Sequence, residues 1–427
     1  MRILIVGAGI VGTATAFELA GDGHQVTVLE QHAAAAEQAS FASAGLLAPS
    51  LLIPWASPSG DSRLARRLLG GRATMRLMQG AGLTGLAWLW RWLRAGRQAQ
   101  AGQRLQALAQ LGQASLSRTR DIAQAMGSDI ESSPGTLVLL RKLAHIELLQ
   151  PLLEVLAHCG SALRQVDAET ARLIEPGLAT DVPLAGALHA SDGQSANCRL
   201  FAQLLRQAAQ EMGARFEFNT RVQGLTRSAS GAINGVQLAG APFSVQASQA
   251  SQLQADAVVL CAGLAGAALL RPLGLRLPLM PVYGYSITAP VRDEFHAPQG
   301  SVIDPQHRIT ISRQGQRVRI AGGAELGHAG GLHDAATLRT LYLALSGWFP
   351  GGALASSPQV QVWRGARPML PDGAPLISPG PAQGLWLNFG HGASGWAQAC
   401  GSAQALADLI AGRRPALDMT PFALSRF

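Results

Sequence analysis

The chain has 427 residues, long enough for two domains with cores of their own, and 48% are hydrophobic against 14% charged, which excludes a disordered protein. Thirty-four basic residues against 26 acidic give a net charge of +8 and a pI near 10.3. That balance suits an anionic surface, and with no nucleic-acid-binding module in the chain, phospholipid is the better candidate.

The first thirty residues organise the rest. Residues 2–6 are apolar and β-branched enough for a buried parallel strand. Gly7-Ala-Gly9-Ile10-Val11-Gly12 follows, then a helical pattern through Leu19 and a second strand from Gln25 to Leu29, closed by Glu30 and Gln31. In such a unit Gly7 permits the tight turn, Gly9 lets backbone approach a pyrophosphate, and Gly12 lets helix and strand pack closely. The helix N-terminus, with Ile10 and Val11 in its first turn, offers amide donors and a positive dipole end to the pyrophosphate. Glu30 is placed to accept hydrogen bonds from both hydroxyls of a ribose. A dinucleotide site is expected here.

After Glu30, the small-residue stretch Ser43-Ala44-Gly45-Leu46 reads either as a loop against a ligand or as a packed helix start. Residues 60–98 carry Arg63, Arg66, Arg67, Arg72, Arg76, Arg91, Arg94 and Arg97 among leucines and Trp88, Trp90 and Trp92, with no acid after Asp61. Two readings stand side by side: a basic amphipathic surface lying in a lipid interface, or a helical hairpin burying its tryptophans. Helices are expected over 100–127, 145–158, 200–212 and 335–349. Strands are expected over 135–140, 187–191 (ending at Asp192-Gly193), 214–218, 232–238 and 243–247, with several antiparallel strands between 281 and 325.

Asp256 to Gly263 reads as a buried strand whose small end, Ala262-Gly263, lets the chain pass close to the dinucleotide. Strand 386–390 runs into Gly390-His391-Gly392-Ala-Ser-Gly395-Trp396 and a helix to Ile410, aiming another helix N-terminus at something negative. Four cysteines, Cys159, Cys198, Cys261 and Cys400, have no CxxC pairing or metal-type spacing; they read as small buried residues, and no metal is expected. The first strand begins within one residue of the N-terminus and no run of about eighteen uncharged apolar residues exists, so the expectation is a protein of the cytoplasmic side with no spanning helix.

The fold class expected is α/β. A discontinuous Rossmann-like dinucleotide domain is built from 1–50, 196–270 and 365–427. A second, mainly antiparallel-sheet domain with helical insertions comes from 51–195 and 271–364.

Taken in order, GAGIVG with Glu30, SFASAGLLAP followed by Pro54-Trp55, PGTLVLLR, DAVVLCAG, PVYGYSIT, WRGARPMLPDGAP and WLNFGHGASGWAQACGSAQALADLIAG resemble the bacterial D-amino acid dehydrogenases, within the D-amino acid oxidase and glycine oxidase superfamily. The resemblance covers nearly the whole chain and is most specific in the two C-terminal motifs. It implies FAD, and because no cysteine or histidine falls at a recognisable attachment motif, non-covalent binding is expected. Gly7, Gly9 and Gly12 would hold the pyrophosphate, Glu30 the AMP ribose, and Ser43, Ala44 and Gly45 would line pyrophosphate and flavin. Val222 would meet the adenine through its backbone, and Ala262 and Gly263 would pass behind the pyrophosphate. Gly390, His391, Gly392, Gly395 and Trp396 would bring backbone N–H groups to the flavin's pyrimidine edge, with His391 serving as backbone more than as acid or base.

Arg367 matches the family's carboxylate anchor, with Arg364 a decoy on the opposite strand face, and Tyr285 matches a pocket residue whose hydroxyl would orient substrate. Where many relatives have Lys, Asn and Gln, this chain has Tyr283, Ser43 and Leu46, so substrate range and oxygen reactivity do not carry over. The activity implied is oxidation of a D-amino acid to a 2-oxo acid and ammonia, with electrons passing to a quinone at the inner membrane. A secondary-amine or glycine enzyme of the same fold, and a flavin-bearing subunit without turnover of its own, are the rival readings.

Overall fold

The structure is a computed structural model, and it describes residues 1–51, 75–77, 82–96, 100–142, 144, 162–239, 252–327 and 333–427. Pro54-Trp55, Cys159, the expected helix 145–158, the expected strand 243–247 and the arginines from Arg63 to Arg72 and at 97 lie outside the described residues.

A six-stranded sheet runs in the order Leu376–Pro379, Leu385–Phe389, Ala257–Leu260, Arg2–Val6, Gln25–Leu29, Arg215–Glu217. Five of its strands are parallel, and Leu376–Pro379 is an antiparallel edge. Alternation along the first strand explains the two layers on its faces. Ile3 and Ile5 pack with Ala16 and Leu19 of helix Ile10–Gly21, Leu108 and Leu111 of helix Ala101–Ala125, and Leu406 of helix Gly395–Ile410. Leu4 and Val6 point the other way, into a core shared with Ile233 and Val236 of a three-stranded sheet. Because the central strands are buried on both faces, they read as unbroken apolar runs in the sequence.

Among the described residues the second sheet has ten strands, mostly antiparallel. Met280–Pro290 pairs with Arg317–Leu326 on one side and Gln361–Met369 on the other, in a register that sets Val282 opposite Arg367 and Tyr285 opposite Arg364. Its core, around Ile287, Ile320 and Trp348, is closed by helix Ala335–Trp348. The mixed α/β fold expected from the motifs is therefore the one formed.

Two expectations need correction. Strand Gly186–Ser195 continues through Asp192-Gly193, where it is expected to end, with a break in its register against Ser133–Leu140. Gly193 serves close packing there, since a Cβ would sit 3.0 Å from Thr136 Oγ1 and 3.1 Å from the Ala48 Cβ. The boundary at 365 also falls inside strand Gln361–Met369, so Arg367 belongs to the second sheet; hydrogen-bond register, invisible in local sequence, decides this.

Helix Gly82–Ala95 divides the tryptophan segment in two. Trp88, Leu89 and Trp92 pack on Met280, Val282, Ala324, Leu326 and Met369. Leu83, Leu86, Trp90 and Leu93, spaced along one stripe, are 85%, 54%, 59% and 52% exposed. Among the described residues no helix is long and apolar enough to cross a membrane.

Candidate functional site

One cavity of about 600 Å³ runs from the first glycine turn to the arginine-bearing strands. At one end, Gly7 takes φ +102° and its N–H donates to the Leu29 carbonyl at 2.8 Å, which ties the turn to the second strand. A Cβ on Gly12 would land on the Gly7 carbonyl oxygen, so helix and turn come together only with glycine there. Gly12 thus supports the wall from behind and does not line it. Helix Ile10–Gly21 has no side-chain cap, although the Ile10 N–H is taken by Ser40 Oγ at 3.1 Å. Ser40 was not singled out from sequence; a serine eleven residues past the second strand carries no local signal.

Glu30 is held by two backbone donors, Ala8 N–H at 2.7 Å and His32 N–H at 2.9 Å, one to each carboxylate oxygen. Each oxygen keeps a lone pair for a ligand hydroxyl. Gln31 and Val222 line the same end, and Ala262 and Gly263, the latter at φ +52°, line the floor.

Ser43, Ala44 and Leu46 are wall residues in the middle of the cavity. Gly45 is turned away, at φ +79°, against Ala196 and Gln314. Gly390, His391, Gly392, Gly395 and Trp396 form the facing wall, where helix Gly395–Ile410 begins without a side-chain cap. Trp396 Nε1 donates to the Gly45 carbonyl at 3.1 Å, joining the two walls. The His391 ring is buried against Ser402 Oγ at 3.1 Å, and burial pushes its pKa down to about 3. It is neutral at ordinary pH. Asn388, another wall residue, donates to Thr15 Oγ1 at 3.1 Å and leaves Oδ1 buried with no partner among the described residues.

At the far end, Arg367 donates to the Gly323 carbonyl at 3.0 Å. The residue as a whole is partly exposed toward the cavity while its guanidinium is desolvated, which pulls its pKa down to about 10 and leaves it charged. Among the described residues it has no acidic partner. Gly284 makes room for it, because a Cβ there would collide with the guanidinium.

Arg364, three residues back, lives differently. It pairs with buried Glu325 at 3.2 Å, donates to the Tyr285 hydroxyl at 3.1 Å and stacks 4.0 Å over the Tyr283 ring. Tyr283 is consequently not a wall residue, against the sequence expectation. Tyr285 does line the cavity, but its hydroxyl donates to Glu325 at 3.0 Å and accepts from Arg364 and from Asp334 N–H at 3.0 Å. One donor and two lone pairs are filled, so it has nothing left to orient a substrate. Burial, with Glu325 beside it, raises its pKa and keeps it protonated. Among the described residues no cluster of His, Cys, Asp and Glu would hold a metal.

Comparison with known proteins identifies the family. The model of the DAO family, described as FAD dependent oxidoreductase, matches residues 2–409. The chain belongs to that family. It is 36% identical to a D-amino acid dehydrogenase of Cereibacter sphaeroides over 429 residues, all of this chain and 95% of the relative. It is 34% identical to a D-amino acid dehydrogenase of Bradyrhizobium diazoefficiens over all of this chain and 99% of that protein. The fold is similar to that of glycine oxidase from Geobacillus kaustophilus, with a TM-score of 0.72 at 22% identity, covering 100% of this chain and 99% of the other.

The protein is therefore an FAD-dependent oxidoreductase, and its residues fit that cofactor. The turn at Gly7 and the uncapped helix start suit a pyrophosphate, Glu30 suits a diol, and the orphaned Asn388 Oδ1 sits in a wall that lacks a donor for it.

Proposed function

We propose that the protein oxidises D-amino acids, with Arg367 holding the α-carboxylate. The observation that carries this is a charged, desolvated arginine without an acidic partner among the described residues, on the wall of the FAD cavity. A guanidinium fork pairs with a carboxylate in two parallel hydrogen bonds, which fixes the direction of the adjoining Cα–H bond. Its bond to the Gly323 carbonyl orients that fork. FAD supplies the two-electron acceptor that takes the hydride from Cα.

The Arg364–Glu325–Tyr285 cluster keeps its own charge internal, so of the two arginines on this strand Arg367 is the one that meets substrate. His391, neutral and bonded to Ser402, contributes backbone and shape, and the proton leaving the amine passes to water. The resulting imino acid hydrolyses to a 2-oxo acid and ammonia. The cofactor contacts proposed are those of the glycine turn, Glu30, Ser43, Ala44, Val222, Ala262, Gly263 and the Gly390–Trp396 turn.

The electron acceptor proposed is a quinone in the cytoplasmic face of the inner membrane. The support is the stripe of Leu83, Leu86, Trp90 and Leu93, flanked by Arg91 and by Arg94, which lies 5.3 Å over the Trp90 ring. No acid interrupts that helix. An Arg91→Glu/Arg94→Glu protein should lose co-sedimentation with anionic vesicles; unchanged binding sinks the membrane reading.

For the substrate, visible spectra of the anaerobic protein are decisive. Bleaching of the flavin band by D-alanine or D-methionine, and not by the L-forms, is the expected result. Bleaching only by D-proline, sarcosine or glycine moves the assignment to secondary amines or glycine. A yellow protein that no amino acid reduces is a subunit without turnover.

A further inference from the structure

We propose that Arg319 is the fixed positive charge behind the cofactor wall, holding the Ser43–Gly45 loop in place and stabilising the negative charge that FAD gains on reduction. This rests on FAD occupying the cavity and is independent of which amino acid is oxidised.

Arg319 is only 5% exposed, on strand Arg317–Leu326. Its Nε donates to Thr288 Oγ1 at 2.8 Å and one terminal nitrogen donates to the Ser43 carbonyl at 3.0 Å. Both acceptors are neutral, and among the described residues Arg319 makes no ion pair. Two groups near enough to neutralise it do not. Glu131 is engaged by Arg317 at 2.6 Å and by Asn197 at 2.7 Å. The Cys198 thiol is pushed up to about 12 by burial, so it is no thiolate counter-ion. Burial lowers the guanidinium to about 10, still charged at neutral pH. A buried charge served only by neutral acceptors costs several kcal/mol. Such a charge is tolerable where the missing anion arrives with a ligand.

The ligand cavity is next to it. Ser43, Cys198 and Ala321 are wall residues, and Arg319 stands behind them. Along the loop, Ser312 Oγ donates to the Ala44 carbonyl at 2.8 Å, and the Gly45 carbonyl accepts from Ala196 N–H at 2.8 Å and from Trp396. Three consecutive carbonyls are therefore turned into the protein. Ser43 and Ala44 show the cavity no carbonyl oxygen, and an anion there meets no repulsion from them.

The redox balance supplies that anion. When the substrate C–H bond breaks, its hydride carries two electrons and one proton to FAD, where an N–H bond forms. FAD is then one unit more negative until it takes a second proton from water. A desolvated cation nearby favours that state.

The test is the midpoint potential of the holoenzyme, titrated anaerobically with dithionite against a reference dye, without amino acid. Arg319→Gln keeps a donor and loses the charge, so its equilibrium constant for reduction should fall at least tenfold, about 30 mV for a two-electron couple. Arg319→Lys should stay close to the native value. Affinity for sulfite, whose adduct also places negative charge on flavin, should fall tenfold or more in Arg319→Gln alone. An unchanged potential, with loss confined to FAD affinity or melting temperature, overturns the proposal. Should Arg319→Gln fail to hold FAD, the native protein decides: its reduced FAD should stay anionic at a pH where free reduced FAD has taken up its second proton, and identical titration overturns the idea.

Discussion

Two arginines three residues apart on strand Gln361–Met369 occupy opposite electrostatic worlds. Around Arg364 every charge has its complement: Glu325 pairs with it, Tyr285 bridges the two, and the Tyr283 ring lies beneath the guanidinium. Around Arg367 there is a carbonyl, a glycine that leaves space, and the open cavity. The first is a closed network that the fold requires. The second, on the function proposed above, is a receptor for an anion. Residue type and burial are shared, so the lesson lies in the partner: a buried cation already given its carboxylate stabilises structure, and one denied it recognises ligand.

Breaking the closed side should have the largest effect. Arg364→Met leaves Glu325 charged, buried and unpaired, and should destabilise the protein by about 3–5 kcal/mol, read as a lower urea midpoint. Arg367→Met should leave that midpoint near native and lower kcat/KM for D-amino acids about a thousandfold, roughly 4 kcal/mol of transition-state binding. If the two variants fail in the same way, the distinction between network and receptor is wrong.

This contrast also shows how far sequence reading reaches. The strand–turn–helix at Gly7–Gly12, the strand that ends before Glu30 and the strand–turn–helix at Gly390–Trp396 are legible as structure, because each is a local pattern: turn residues, a strand period and a helix start within a few positions. Arg367 and Arg364 were both visible, and the period-two rule put them on opposite faces, but only strand register brings Glu325 beside Arg364. Tyr285 looked like a substrate contact because sequence gives a hydroxyl without its partners; the three groups that fill it come from 40, 49 and 79 residues away. Ser40, Asn388 and Arg319 were silent for the same reason. Their roles rest on contacts between distant strands, and no spacing announces them.

A smaller effect tests whether the C-terminal turn depends on a neutral imidazole. His391 has a folded pKa near 3 against 6.5 when unfolded, so the unfolded chain binds a proton that the folded chain refuses. Stability from this residue is complete above pH 6.5 and declines as pH falls toward 3, by about 2 kcal/mol at pH 5. Burial raises the Glu175 carboxyl to about 7, which shifts stability the other way between pH 5 and pH 7, so the effect is read as the difference between native protein and His391→Asn. Melting temperatures at pH 7 and pH 5 should differ between the two proteins by this amount, and an identical pH response in both excludes the buried, neutral ring.

A last effect of similar size returns the comparison to the other end of the cavity, where a carboxylate is proposed to play the part proposed for Arg367 at the substrate end. Glu30 differs from Arg367 in having its charge partly met, by the N–H groups of Ala8 and His32. Those donors orient it without neutralising it, so a ligand hydroxyl still finds a charged acceptor. Replacing it by glutamine keeps the shape and one acceptor but turns an amide N–H toward a backbone N–H. The loss should be close to one charge-assisted hydrogen bond, about 1.5–3 kcal/mol, or ten- to a hundredfold in FAD affinity. Titration of apoprotein with FAD, followed by flavin fluorescence, measures this directly. Once saturated with FAD, Glu30→Gln should turn over D-amino acids at the native rate, because the residue holds the cofactor at the end remote from Arg367. A reduced rate at saturation means that the two ends are coupled and that the cavity is not the simple tandem of cofactor clamp and substrate receptor described here.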